Sequence, residues 1–174
     1  MTLLEFIKIF HSYDKDYILN GFSMRLNDGE VVSLLGPSGC GKTTLLKLAS
    51  GIEKLQEGEI KLNDKIISSS NTHLSPDKRK VGYVFQDCAL FPHLTILQNI
   101  FFGMNSKEIS AQTNKIQNLM NEINISRLSD SFPHELSGGQ QQQVALVRAI
   151  ASDPKIILLA ERYSNLDSRL KEKI

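Results

Sequence analysis

Val31-Val32-Ser33-Leu34-Leu35, followed at once by Gly36-Pro37-Ser38-Gly39-Cys40-Gly41-Lys42-Thr43, leaves few folds open to this chain. Five mostly apolar residues predict a strand buried in a parallel sheet. The next eight fit the phosphate-loop pattern G-x-x-x-x-G-K-[ST]. Thr44 to Ser50 carries helix formers at helical spacing, and Gly51 stands where a helix would stop. Strand, glycine-rich loop and helix in that order predict an α/β fold built around this loop.

The residue types follow from the chemistry such a loop performs. Glycines at 36, 39 and 41 allow backbone conformations that a Cβ forbids, so that N–H groups turn inward as a nest for phosphate oxygens. A helix beginning near Lys42 adds its positive end. Lys42 would reach the β- and γ-phosphates, and the Thr43 hydroxyl would hold Mg²⁺. A plain glycine turn ahead of a helix is the alternative.

Composition sets the limits. The chain has 174 residues, 41 % hydrophobic and 22 % charged, enough for one domain with a core. A net charge of +1 implies no broad attraction to nucleic acid or anionic lipid. Cys40 and Cys88 lack metal-ligand spacing and read as reduced thiols of a cytosolic protein. The longest apolar run, Ile156 to Ala160, is far too short to cross a bilayer, and the N-terminus reads as a strand, not a signal peptide.

Along the chain, residues 2–30 read as β structure closing in a turn at Leu26-Asn27-Asp28-Gly29-Glu30. Tyr13 and Tyr17 are both aromatics that could stack on a purine, with packing as the alternative for each. Gly58 to Ile67 predicts a hairpin turning at Asn63-Asp64. Val81 to Phe85 predicts a second buried strand, with Gln86 at its carboxyl end, where an open α/β sheet places ligands. Residues 95–104 and 107–124 predict helices with apolar stripes, joined to that strand by the unusually apolar loop 88–94. Leu136-Ser137-Gly138-Gly139-Gln140 has capping-box spacing with two bare glycines inside it. That makes either an anion site or a plain capped helix. Asp153-Pro154 breaks the chain, Lys155 to Leu159 predicts a third buried strand, and Glu161 beyond it is a candidate base for activating water.

This order of motifs resembles the nucleotide-binding subunit of an ABC transporter, carried by 36–43, Phe85-Gln86-Asp87, Leu-Ser-Gly-Gly-Gln at 136–140, 156–161, and Ser164-Asn165-Leu166-Asp167. The wording of 81–103 is similar to import subunits for iron, sulfate, spermidine or sugars. The resemblance implies a P-loop NTPase with a RecA-like parallel-sheet core, an N-terminal antiparallel β subdomain and a helical subdomain at about 88–135. Residues 1–174 would form a single domain, incomplete at its C-terminus. It selects Tyr13 as the adenine-stacking aromatic and assigns ATP to Gly36, Pro37, Ser38, Gly39, Cys40, Gly41, Lys42, Thr43, Thr44 and Gln86. Mg²⁺ falls to Thr43 and Gln86. Ser137, Gly138, Gly139 and Gln140 would contact ATP held by a second copy in a head-to-tail homodimer, with Asp167 at its seam and Glu161 polarising the attacking water. Residues 86–104 would receive a membrane permease. The implied place is cytoplasmic, peripheral on the inner face of the membrane, without insertion and without nucleic acid.

Three departures from the family pattern bear on turnover. Ala160 stands where the family carries an aspartate that helps hold hydrated Mg²⁺, a loss worth roughly 10²- to 10⁴-fold in rate. Arg162 replaces a proline, and the family's further strand with its γ-phosphate histidine has no counterpart among His11, His73, His93 and His134. Gln143 stands where arginine is usual. Beside the importer ATPase, these leave a binding-only degenerate subunit and a soluble non-transport ABC ATPase as alternatives.

Overall fold

Thr2–Ser12 (β1) and Tyr17–Asn27 (β2) pair antiparallel, with Leu4 opposite Leu26 and Phe6 opposite Met24. This is a computed structural model and it describes residues 2–160. On the other side of β1 lies Glu57–Leu62 (β3), which pairs in turn with Lys65–Ser69 (β4), giving the order β2-β1-β3-β4. The β3–β4 hairpin turns at Asn63 and Asp64, with φ of 49° and 61°. Both are left-handed, as a type I′ turn requires, and short polar side chains tolerate that region. The turn at Asn27 to Glu30 is closed by the Glu30 N–H donating to the Asn27 carbonyl at 3.2 Å.

Lys42–Ser50 forms α1, bounded by two left-handed glycines, Gly41 (φ 91°) and Gly51 (φ 82°). Phe6, Ile9, Ile60, Leu45 and Leu48 are all buried. The C-terminal end of α1 is capped by a charge. Arg79, only 1 % exposed, donates from Nη1 to the carbonyls of Leu48 (2.8 Å) and Ala49 (3.0 Å), from Nη2 to Ser68 Oγ (2.7 Å) and from Nε to Leu74 O (2.6 Å). Burial pushes its pKa down to about 10, so it remains charged at neutral pH. The negative end of α1 faces this buried cation. These elements make up the first of two compact units, which ends at Arg79.

The second unit, from Lys80 onward, pairs Val81–Val84 (β5) with Ile156–Leu159 (β6) in parallel, Val81 opposite Ile156. Between them run Ile96–Ile100 (α2), Ser106–Glu122 (α3) and Gly138–Ala151 (α4). Val84, Ile96, Ile100, Ile116, Met120, Val144, Leu146 and Val147 share one buried cluster. At Gly82 an added Cβ would lie 2.8 Å from the Ala149 carbonyl, so glycine lets β5 approach α4. Helix α2 is shorter than the span 95–104 predicts; it ends at Ile100, and Gly103 turns the chain with φ of 82°.

The predicted buried strand at 31–35 is not formed. Val31 is 87 % and Leu35 92 % exposed, and no described strand hydrogen-bonds to this run. An apolar run becomes a buried strand only where neighbours pair with it on both sides, and the parallel ladder among the described residues is β5 with β6 alone. For the same reason β5 and β6 are less covered than expected: in β6 only Leu158 is buried, and Phe85 lies beyond β5 and is exposed.

Candidate functional site

In the first unit the phosphate loop is open and bare. Residues 36–40 are exposed, and α1 begins at Lys42, after the Gly41 cap, with no side chain capping its N–H groups. The loop is shaped by what lies against it. A Cβ on Gly36 would sit 2.7 Å from Cys40 Sγ, and one on Gly41 would sit 2.8 Å from Leu19 Cδ2 and 2.9 Å from the Ile18 carbonyl. The Cys40 N–H donates to the Pro37 carbonyl at 3.4 Å, closing the turn that contains Ser38 and Gly39.

Lys42 folds back over this loop, its Nζ donating to the carbonyls of Gly36 and Pro37 at 2.7 Å each and lying 3.5 Å from Cys40 Sγ. Among the described residues no acid is paired with Lys42, an arrangement in which an anion can replace the carbonyl contacts at gain. Thr43 is exposed while Thr44 is buried. Tyr13, half exposed, places its hydroxyl 3.4 Å from Thr44 Oγ1 and 3.4 Å from a Glu53 carboxylate oxygen, and its ring meets His11 edge to face at 5.1 Å. Tyr17 instead packs on Phe10 at 5.9 Å. Of the two tyrosines, Tyr13 is the one joined to the loop's helix.

The second unit holds Gln86, exposed just past β5, and the Ser137 cap. The capping box is reciprocal: the Gln140 N–H donates to Ser137 Oγ at 3.3 Å, and the Ser137 N–H donates to Gln140 Oε1 at 2.9 Å. Nothing lies within 4 Å of a Cβ built on Gly138 or Gly139, so neither glycine is required by packing. Ala160 donates its N–H to the Val84 carbonyl at 3.1 Å and brings no side-chain oxygen. Glu161, Arg162 and Asp167 lie outside the described residues.

Two polar side chains that sequence reasoning passed over organise the loop after Gln86. Asn99 is fully buried; it accepts from the Phe91 N–H at 2.8 Å and donates to the carbonyls of Phe91, Leu94 and Thr95 at 3.0–3.1 Å. Arg148 of α4 donates to the carbonyls of Cys88 and Ala89. Each is a polar residue interrupting an apolar stripe, which is the signal that would have found it. The loop they hold displays Phe91 against the exposed Phe102 at 4.2 Å, with Leu97 exposed on α2.

The donor set fits a polyphosphate: open backbone N–H groups, the Lys42 ammonium and an exposed hydroxyl at Thr43. Toward Mg²⁺ the first unit offers the Thr43 hydroxyl and the second the Gln86 amide oxygen, whereas Ala160 brings no side-chain oxygen. No group of histidines, cysteines and acids that could hold a metal occurs among the described residues, and no described helix is long and apolar enough to cross a membrane.

Comparison with known proteins agrees with this geometry. The chain is 44 % identical over 164 residues to an Fe(3+) ions import ATP-binding protein, FbpC 2, of Haemophilus influenzae, covering 93 % of this chain and 46 % of that protein. It is 40 % identical over 176 residues to a spermidine/putrescine import ATP-binding protein, PotA, of Hahella chejuensis, covering 100 % of this chain and 46 % of that one. The chain thus spans about half the length of these relatives. Among solved structures, the ATP-binding cassette MJ0796, in a dimeric post-hydrolysis state bound to ADP and Pi, superimposes with a TM-score of 0.78 at 31 % identity, covering 99 % of this chain and 79 % of that one. The fold is therefore that of an ABC ATPase cassette, a P-loop NTPase. The sequence pattern described as ABC transporter matches residues 19–164, which include the phosphate loop, Gln86 and the Ser137 cap, and the chain belongs to that family.

Proposed function

We propose that this chain is the ATP-binding part of an ABC import system, one that couples ATP binding and hydrolysis to uptake of a small substrate through a membrane permease. The single observation that carries the reading is the open phosphate loop, where Lys42 bonds to the loop's own carbonyls at 2.7 Å and the N-terminus of α1 has no cap of its own. Relatives named for iron and for spermidine/putrescine import support the transport assignment.

In this reading the N–H groups of residues 36–43 bind the phosphates, and Lys42 exchanges its carbonyl contacts for the β- and γ-phosphate oxygens. Thr44, at the start of α1, keeps the hydroxyl contact with Tyr13, whose ring stacks on adenine. Thr43 and Gln86 would hold Mg²⁺, which, when bound, supplies neutralising charge to the transferring phosphoryl group. Glu161 orients the attacking water, and Asp167 lies at the seam with a second copy. Ser137, Gly138, Gly139 and Gln140 contact the ATP of that copy, which accounts for two glycines that nothing among the described residues crowds. Phe91, Leu97 and Phe102 offer the permease an apolar surface on a loop fixed by Asn99. In this reading the chain works on the inner face of the cell membrane, and residues 1–174 belong to one nucleotide-binding domain whose helical part is about 88–135.

Ala160 favours a second reading, a subunit that grips nucleotide but turns it over slowly. The test is a thermal melt of the full-length chain with ATP, with and without Mg²⁺. A ligand of the folded state raises the midpoint, and Lys42→Ala should abolish the rise. No rise in the unaltered chain overturns ATP binding. A rise indifferent to Mg²⁺ selects the second reading.

A further inference from the structure

The stretch 52–56, between α1 and β3, reaches back to the turn that carries Tyr13. Its own backbone is anchored: the Glu53 N–H donates to the Lys47 carbonyl at 3.2 Å, Leu55 is buried, and Glu57 opposes Phe10 in the last rung between β1 and β3. Exposed Gln56, between Leu55 and Glu57, adds one more rung with its side chain. The Ser12 N–H donates to Gln56 Oε1 at 2.8 Å, Gln56 Nε2 donates to the Ser12 carbonyl at 2.8 Å, and the Ser12 hydroxyl lies 3.4 Å from the same Oε1. A side-chain amide carries an acceptor and donors in one plane, so here it stands in for the peptide group of a neighbouring strand. On its other side Ser12 pairs with Tyr17 of β2. The residue directly before Tyr13 is thus gripped from both sides. Residues 13–16 beyond it are exposed, so burial does little to place them.

The side-chain contacts of Tyr13 are looser. Its hydroxyl is 3.4 Å from both Thr44 Oγ1 and Glu53, longer than an ordinary O–H···O bond, and His11 meets its ring only edge to face. These contacts steer the ring, whereas the main chain at Ser12 sets where it starts. We propose that Gln56 is a positioning residue for the base half of the nucleotide, its amide fixing Ser12 so that Tyr13 presents its ring to adenine. This rests on the reading given above, that Tyr13 stacks on adenine. Stacking needs two planes in contact, and a ring held in place before the base arrives loses less freedom on binding. Gln56 acts through Ser12 and Tyr13, so its loss falls on the base and leaves phosphate binding at 36–43 as it was.

Isothermal titration of the full-length chain with the non-hydrolysable analogue AMP-PNP and with inorganic tripolyphosphate, each with Mg²⁺, tests this. Tyr13→Ala should weaken AMP-PNP about tenfold, the worth of one stacked base, and leave tripolyphosphate within about twofold. Gln56→Leu, which keeps the bulk and loses both bonds, should weaken AMP-PNP about threefold or more and spare tripolyphosphate in the same way. Gln56→Glu, which keeps the acceptor for the Ser12 N–H and loses the donor, serves beside it where the leucine variant folds poorly. Tyr13→Ala with Gln56→Leu should bind AMP-PNP no more weakly than Tyr13→Ala alone, because the amide acts through the ring. Additive losses, or equal losses for both ligands, overturn the proposal, since Gln56 then supports the fold at large. Unchanged AMP-PNP affinity in a folded Gln56 variant, with Tyr13→Ala weakened, overturns it alone and leaves the adenine reading intact. Unchanged affinity in Tyr13→Ala overturns the adenine reading and the positioning role with it. If both Gln56 variants lose their cooperative melt, the amide serves the sheet only, and the proposal fails.

Discussion

Replacing Arg79 by methionine should cost about 3–4 kcal/mol of stability. The side chain keeps its aliphatic bulk, so the loss falls on four acceptors: the carbonyls of Leu48, Ala49 and Leu74, and Ser68 Oγ. The Leu48 carbonyl retains the Gly51 N–H at 3.3 Å, which leaves three acceptors without this donor, those of Ala49 and Ser68 buried and that of Leu74 partly so. Each stranded acceptor costs roughly 1–3 kcal/mol, partly offset because a cation whose pKa burial has pushed to about 10 no longer needs desolvating. For a chain of 174 residues that loss lowers Tm by about 10 °C. Urea unfolding followed by far-UV circular dichroism measures it. The partner residue makes the test sharper. A Cβ on Gly51 would lie 2.4 Å from Arg79 Nε at a φ of 82°, so Gly51→Ala strains the backbone and displaces the same guanidinium. The double variant should then be less destabilised than the sum of the singles by about 1 kcal/mol or more. A loss under about 1 kcal/mol for Arg79→Met, or strict additivity with Gly51→Ala, would refute the view that this buried charge is held by the end of α1.

Ala160→Asp in the full-length chain should raise Mg²⁺-dependent ATP turnover by roughly 10²-fold or more, by restoring a carboxylate to the metal side of the site; a steady-state assay showing less than about tenfold contradicts the role given to that position. A maleimide should label exposed Cys40 quickly and leave Cys88 unlabelled in the folded chain, because Cys88 is buried and its thiol is pushed up by desolvation and then by Asp87; mass spectrometry reads both, and bound ATP should slow the first. Asp153 is held below the ordinary carboxylate value of 3.8 by the hydrogen bond from Lys115 at 2.9 Å and by that residue's charge, so its contribution is present above pH 3.8 and is lost as pH falls through its lowered folded value. Both side chains are more than half exposed, so Asp153→Asn should flatten the acid limb of a urea-midpoint titration by only about 0.2–0.5 kcal/mol.

Local chemistry was legible in this sequence and partnership was not. The Asn63-Asp64 turn, the glycine stops around α1 and the reciprocal Ser137–Gln140 cap are each decided within four residues, and each stands as read. The opening of α1 straight after the glycine loop was legible for the same reason, since the motif's spacing sets where the helix starts. The run Val31 to Leu35 was misjudged because burial belongs to the strands that flank a run, and its own composition does not name them. Arg79 and Arg148 were missed because most of their acceptors lie 11 to 60 residues away, whereas Asn99, whose acceptors lie within eight residues, was passed over as one polar residue in an apolar stripe. Tyr13 and Tyr17 were equal by physics alone; in the structure they differ in their contacts, Tyr13 with Thr44 and Tyr17 with Phe10.

Gly138 and Gly139 occupy the first turn of α4 with open space where a side chain would go and no left-handed backbone to excuse them. Alanine there would favour the helix by roughly 0.5–1 kcal/mol at each position. The chain therefore forgoes stability at the surface proposed to meet a second copy. A selection run on thermal tolerance alone would drift toward alanine at 138 and 139 and return a sturdier cassette that no longer pairs, a trade between endurance and work written into two missing methyl groups.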